Sequence, residues 1–263
     1  MSGDASHATG EAGLREDRLL GGRVRLVQPL SGYRAATDPV LLAASVPARP
    51  AESVLELGIG AGAATLCLAA RVPGLLHAGL EIEPLYLGLA ARNAALNGVE
   101  VELFAGDVAA PPAALRACSF DHVILNPPYH PPPSPASPVA HRDRAHREGD
   151  AGLDEWIAAA LARARPRGRI AIIHRAERLS GILGALAGRA GAVEILPLAA
   201  RAGRDAGRVI VRARKGVRTP LRLLAPLVLH EGPAHVADQD DFTARARAIL
   251  REGRAIDFEE TAP

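Results

Sequence analysis

The chain is short of cysteine, nearly devoid of lysine and free of long apolar runs. It has two cysteines in 263 residues, Cys67 and Cys118, far apart in the chain. That spacing makes no CxxC pair and no Cys/His cluster, so nothing in it suggests a zinc site, and no metal is expected. Both thiols are expected to stay reduced in a cytoplasmic protein, with Cys67 packed in the core. No run approaches the roughly 18 apolar residues that a bilayer-spanning helix needs, so no membrane partner is expected. The first 18 residues are small and polar, without an apolar secretory segment. Residues 1–20 therefore read as a disordered tail, residues 21–250 as a single domain, and residues 251–263 as a second tail.

Among 31 basic residues, Lys215 is the one that is not arginine. The net charge is only +2, but it is unevenly spread. Residues 1–140 carry −4, residues 141–222 carry +10 and residues 223–263 carry −4. A local excess of that size fits a polyanion held close by, or an ordinary solvated face. The 48% hydrophobic share is ample for one large α/β core.

Apolar stretches near 53–58, 77–82, 100–104, 121–125, 168–174, 192–196 and 208–214 predict strands. Helices are predicted near 62–71, 84–97, 151–165 and 176–190. Residues 23–27 read as a short strand, and Thr37-Asp38-Pro39 as the start of a helix ending before Pro47. Alternation of this kind predicts a seven-stranded, mostly parallel, doubly wound sheet with helices on both faces. Ligands of such sheets sit outside the carboxyl ends of the strands.

Several motifs fall at those ends. The buried-looking run Ser53 to Leu57 leads into Gly58-Ile59-Gly60-Ala61-Gly62 and then a helix. Glycine-rich turns of this kind let a ligand approach the backbone at a helix N-terminus. Glu81, ending the second strand, is placed to accept from two ribose hydroxyls. Asp107, ending the third, could accept from an adenine amino group. The turn alone would equally fit a nicotinamide dehydrogenase.

The run Val123-Ile124-Leu125 ends in Asn126-Pro127-Pro128-Tyr129. Two prolines fix φ and remove two backbone donors, and Pro127 pushes Asn126 out of the helical region. What remains is a rigid corner showing an amide, free carbonyls and a ring. It suits a planar group bearing an exocyclic NH2. The Asn126 oxygen and the Pro127 carbonyl can each accept one N–H while Tyr129 stacks on the plane. The nitrogen lone pair is then aimed at an electrophile. By itself a Pro-Pro pair is an ordinary turn.

The order of these parts resembles the class I S-adenosylmethionine-dependent methyltransferases, and within them the Asn-Pro-Pro-Tyr group that methylates amino nitrogens. The resemblance implies a Rossmann-like fold and S-adenosylmethionine as cofactor. The Glu56 to Gly62 segment would cradle the methionine part, Glu81 the ribose and Asp107 the adenine, with the Asn126 corner facing the sulfonium methyl. Further stretches are similar to the bacterial tRNA adenine-N6 methyltransferases that act beside the anticodon of valine tRNA. These are Arg23-Val24-Arg25, Gln28-Pro29, Gly32-Tyr33-Arg34, Thr37 to Leu42, Ala145 to Gly149, His174 to Leu179, Arg201 to Arg208 and Val228 to Glu231. That likeness implies that Thr37 and Asp38 close over the cofactor and that Tyr33 lines the base pocket. In the absence of the likeness, Thr37-Asp38 is a helix cap and Tyr33 a core aromatic. Gly232-Pro233-Ala234-His235 departs from the Gly-Tyr-Thr-like segment that the family often has there.

Residues 130–150 follow no strand pattern. Long loops beside a site are commonly lids or binding elements. His130, Arg142, Arg144, His146 and Arg147, with Arg175 beyond them, are expected to contact a tRNA or another structured RNA. His174 is expected to be structural, because an amine sheds its proton after methylation and scarcely needs a base. Rival readings are guanine-N2 methylation of rRNA, adenine-N6 methylation of DNA, methylation of a release-factor glutamine, and a non-catalytic cofactor- or RNA-binding protein. The glutamine enzymes carry an N-terminal helical domain, for which the 50-odd residues before the glycine turn are too few. DNA enzymes usually add a recognition domain that is not evident here.

Overall fold

The computed structural model describes residues 13–30, 35, 37–128, 152–234 and 241–259. Fully apolar strands need cover on both faces, and this need organises the chain. The central strands β3 (Ser53–Leu57) and β6 (Phe120–Leu125) are buried along nearly their whole length. They lie side by side and parallel, flanked by β4 (Leu76–Glu81) and β5 (Val101–Ala105) on one side. On the other side lie β7 (Ala164–Arg175), β9 (Ala206–Lys215) and β8 (Ala190–Arg201). Only β9 runs antiparallel to its neighbours in the sheet. The seven expected strands are all present. Two short ones, β10 (Arg222–Leu223) and β11 (Leu227–His230), extend the edge at β8 and bring the sheet to nine. They are too short to show a period in the sequence.

One face is covered by α1 (Thr37–Ser45), α2 (Ala63–Arg71), α3 (Pro84–Leu96) and the late helix α7 (Ala244–Leu250). The short α4 (Ala113–Arg116), α5 (Leu153–Arg163) and α6 (Leu179–Leu186) cover the other. Among the described residues no helix is long and apolar enough to cross a membrane.

Both ends of the domain differ from expectation. Residues 14–19 form a strand, β1, rather than a tail, paired antiparallel with β2 (Val24–Pro29). Its Leu-Arg-Glu-Asp-Arg-Leu sequence is too charged to read as core. Pairing holds it instead, together with Arg25, whose guanidinium grips both Glu16 oxygens at 2.8 Å. The side chain of Asn93 on α3 satisfies the buried backbone of β2 at Val27. It accepts from the Val27 amide at 2.8 Å and donates to the Val27 carbonyl at 2.9 Å. It also reaches the Ala61 carbonyl at 2.9 Å, so one buried amide ties the hairpin to the glycine turn.

At the other end, Ile256 and Phe258 are buried in the same core as β2, although residues 251–263 read as polar and tail-like. The Ile256 amide donates to the Ala44 carbonyl at 2.8 Å, and the Arg212 guanidinium lies 3.4 Å over the Phe258 ring. Truncating a buried phenylalanine costs about 3–5 kcal/mol. Phe258→Ala is therefore expected to lower the midpoint of thermal unfolding by roughly 10 °C. An unchanged midpoint in a calorimetric scan would show that this segment contributes nothing to the core.

Candidate functional site

The strand ends converge on one cleft of about 900 Å³, counting its open mouth. Leu57 and Leu125 are register partners, so Gly58 and Asn126 leave adjacent strands side by side. Gly58, Gly60 and Gly62 all have positive φ, at 66°, 56° and 90°. L side chains rarely adopt that region. At Gly58 space adds to conformation: a Cβ there would meet the Trp156 ring at 2.7 Å. Gly62 begins α2, whose first turn points at the cleft.

Two carboxylates stand at these ends. Glu56 is buried, and its Oε2 accepts from the Thr65 amide at 2.9 Å and the Thr65 hydroxyl at 2.6 Å. Burial pushes its carboxyl up to about 8, against the Thr65 hydrogen bonds and with help from Glu81. Glu81 accepts from three backbone amides: Gly60 at 2.8 Å, Ile82 at 2.9 Å and Glu83 at 3.0 Å. Burial raises its carboxyl as well, despite those bonds. Glu83 adds a third acid to the lining, and no Lys, Arg or His lines the cleft among the described residues. A cleft rich in acids and lacking cations favours a positively charged ligand. A dinucleotide with two phosphates would be repelled. S-adenosylmethionine, with its sulfonium and ammonium groups, fits the donor set.

Several predicted residues meet here: Glu56, Gly58, Gly60, Glu81, Asn126, Pro127 and Pro128 all line the cleft. Four predicted cofactor contacts do not: Gly62, whose role in the turn is to begin α2, and Thr37, Asp38 and Asp107. Thr37 faces a different hollow, between α1 and α7. Asp38 takes the Arg208 guanidinium at 2.5 Å. Asp107 closes its own turn by accepting the Ala109 amide at 2.9 Å. Gln28 and Ala35 line the cleft instead, joined by a 2.7 Å bond from the Ala35 amide to the Gln28 oxygen. Tyr86 and Trp156, also in the lining, were missed. Both sit on helices at apolar positions that read as plain core. Tyr33, Tyr129, His130, Arg142, Arg144, His146 and Arg147 lie outside the described residues.

His174 is fully buried at the end of β7. Its Nδ1 accepts the Arg175 amide at 2.9 Å, which leaves the proton on Nε2, toward the Pro128 backbone. Burial, reinforced by Arg178 and Arg175, pushes its pKa down to about 4. It is a neutral ring under the Pro128 corner and does not line the cleft. Arg175 also stands outside the lining, 3.4 Å from Glu177.

The sheet order, the glycine turn, the acid-lined cleft and the Asn126-Pro127-Pro128 corner are those of the class I S-adenosylmethionine-dependent methyltransferase fold. Residues 35–177 match the Methyltransferase small domain family, and the chain belongs to it. A tRNA1(Val) (adenine(37)-N6)-methyltransferase of Porphyromonas gingivalis is 31% identical over 157 residues, covering 57% of this chain and 61% of that protein. A release factor glutamine methyltransferase of Geobacter sulfurreducens is 38% identical over 81 residues, covering 31% of this chain and 28% of that one. The chain thus spans about three fifths or less of these curated relatives. A solved structure from Agrobacterium tumefaciens, described as a predicted O-methyltransferase, is 30% identical with a TM-score of 0.66. The match covers 83% of this chain and 97% of that one.

The raised carboxyl of Glu56 has a consequence for stability. Its folded pKa lies above the unfolded value of about 4.3, so its contribution is complete below that value and is lost as pH rises toward 8. Glu56→Gln keeps an acceptor for Thr65 without the charge. Its thermal midpoint should match that of the wild type near pH 5 and exceed it by roughly 5 °C or more at pH 9. Parallel pH curves for the two proteins would mean that Glu56 stays ionised throughout.

Proposed function

We propose that the chain methylates the N6 amino group of an adenine in tRNA. The observation that carries this reading is the Asn126-Pro127 corner at the mouth of a cation-seeking cleft. Bound S-adenosylmethionine supplies an electrophilic methyl group. The residues of the chain supply position. The Asn126 side-chain oxygen and the Pro127 carbonyl accept the two N–H bonds of the acceptor amine, which leaves its lone pair free to attack in line. Tyr129 stacks on the base. Orientation of this kind is worth about 7–11 kcal/mol of barrier. The amine becomes acidic once methylated and releases its proton to water, so no general base is needed. His174, neutral and covered, agrees with that.

The role of Glu81 is to accept from the ribose hydroxyls, and that of Glu56 is to face the ammonium. Glycine-turn contacts complete the cofactor site. Thr37, Asp38 and Asp107 have tasks elsewhere in the fold and would need to turn to reach it. Tyr33, His130, Arg142, Arg144, His146, Arg147 and Arg175 are proposed to hold the RNA. An adenine in the anticodon loop is already unpaired and needs no extrusion from a duplex to reach the corner. The tRNA relative, which covers more of the chain than the glutamine one, supports the same choice. A second reading, amide methylation of a release factor, draws on the same corner.

The test is transfer of labelled methyl from S-adenosylmethionine to tRNA, rRNA, DNA and release factor, with analysis of the modified residue. N6-methyladenosine in tRNA is the expected product, and label in glutamine or in guanine would replace the reading. In the same assay Asn126→Ala should lose at least about a thousandfold in kcat while cofactor Kd stays within threefold. Normal turnover by that variant would sink the role given to the corner.

A further inference from the structure

The sheet divides the basic charge of residues 141–222 between its two ends. Across the β7–β9 pair, Arg175 stands opposite Arg208 at the end that carries the cleft, and Arg169 opposite Arg214 at the other. Six residues of strand separate Arg169 from Arg175, about 20 Å at the usual rise. Part of the excess charge is therefore nowhere near the methyl-transfer site.

At that far end an open hollow of about 930 Å³, counting its mouth, lies between β7, β9, β8 and the segment 256–259. Arg212, on its wall, is fully engaged. It pairs with Glu194, donates to the Ser45 carbonyl at 3.1 Å and covers the Phe258 ring. Glu194 is shared with Arg222 at 3.1 Å. Among the described residues Arg214 makes only a long 3.4 Å bond from Nε to the Arg167 carbonyl. Arg169 is partly buried, and its guanidinium forms no hydrogen bond or ion pair among the described residues. Of the acids on the rim, Asp257 accepts the Glu259 amide at 2.8 Å, and Glu259 reaches Arg222 at 3.1 Å.

Like charges directly opposite on paired strands are destabilising. Burial and then Arg214, with Arg212 and Arg49 behind it, push the Arg169 guanidinium below its ordinary range, and Glu52 alone among its neighbours opposes them. Two arginines on facing positions of paired strands, each with donors left over among the described residues, are an arrangement that an oxyanion resolves. Their planar forks match the tetrahedral oxygens of a phosphate group.

We propose that the hollow lined by Arg169 and Arg214 is a second ligand site that binds a phosphate group, separate from the methyl-transfer cleft. The phosphate belongs either to a small phosphorylated compound or to the backbone of the RNA. The RNA source rests on the reading given above, and the small-molecule source does not.

The test is thermal unfolding of the full chain in sodium phosphate against sodium chloride at equal ionic strength. Phosphate should raise the wild-type midpoint by roughly 5 °C at about a hundred times its Kd. The double variant Arg169→Met, Arg214→Met should not respond. Arg169→Glu sets a carboxylate opposite Arg214. It should raise the midpoint without phosphate and remove the phosphate response, which separates a lost site from a lost fold. Filter binding of tRNA then tells the two sources apart. A backbone contact predicts that Arg169→Glu weakens tRNA binding about tenfold and lowers the salt slope by about one. Unchanged tRNA binding with a lost phosphate response identifies a small phosphate ligand. If the wild type binds no RNA, the RNA reading fails while the phosphate response still decides the site. A phosphate shift no larger than that of chloride, or equal in all three proteins, would overturn the proposal.

Discussion

Two buried carboxyl groups, with no basic side chain beside them among the described residues, govern the active end of this molecule. Glu56 and Glu81 close neighbouring strands where water is largely excluded, and among the described residues no basic side chain lines the cleft with them. Isolated carboxylates are costly in such surroundings. Backbone amides and one threonine moderate that cost: Gly60, Ile82 and Glu83 serve Glu81, and Thr65 serves Glu56. The conformation of the glycine turn follows from this requirement as much as from chain reversal, because the Gly60 amide must point at Glu81. The remaining deficit selects a ligand that brings positive charge, and the sulfonium cofactor of the methyltransferases is one.

The architecture was open to reading because its signals are local. Strands buried on both faces are continuous apolar runs, and glycines with positive φ can be recognised by their spacing. Asn126-Pro127-Pro128 is stiff by covalent structure alone. The parts that escaped depend on partners distant in sequence. Asn93 looks like a polar position in a helix, yet it is wholly buried and joins β2 to the glycine turn. Trp156 enters the cleft from α5 because Gly58 leaves it room. Asp38 carried the right chemistry, but Arg208, far along the chain, claims it. The charged β1 and the polar segment around Phe258 gave no periodic signal, since one is held by pairing and the other by two apolar anchors.

Charge counted along the chain proved a poor guide to where charge acts. Arginines six residues apart on one strand stand at opposite ends of the sheet, while the antiparallel neighbour brings arginines distant in sequence to the same end. Arg201, for example, serves structure: it binds Asp241 at 2.6 Å, and Asp241 in turn holds His230 at 2.6 Å, itself stacked on Phe242. Arg163 is likewise used on carbonyls, those of Leu115 at 2.9 Å and Cys118 at 3.1 Å.

The core that houses β2 also contains Ile249, Leu250, Ile256 and Phe258. A ribosome makes β2 among the first of these elements and those four residues among the last. During synthesis the apolar side of the hairpin therefore lacks its lid for almost the whole time that the domain is being made. The opposite face, closed by α5 and α6, draws on residues 55 to 213 and can be finished earlier. The two faces of one sheet thus mature at different times, and the hairpin face is the one that a chaperone would have reason to shelter.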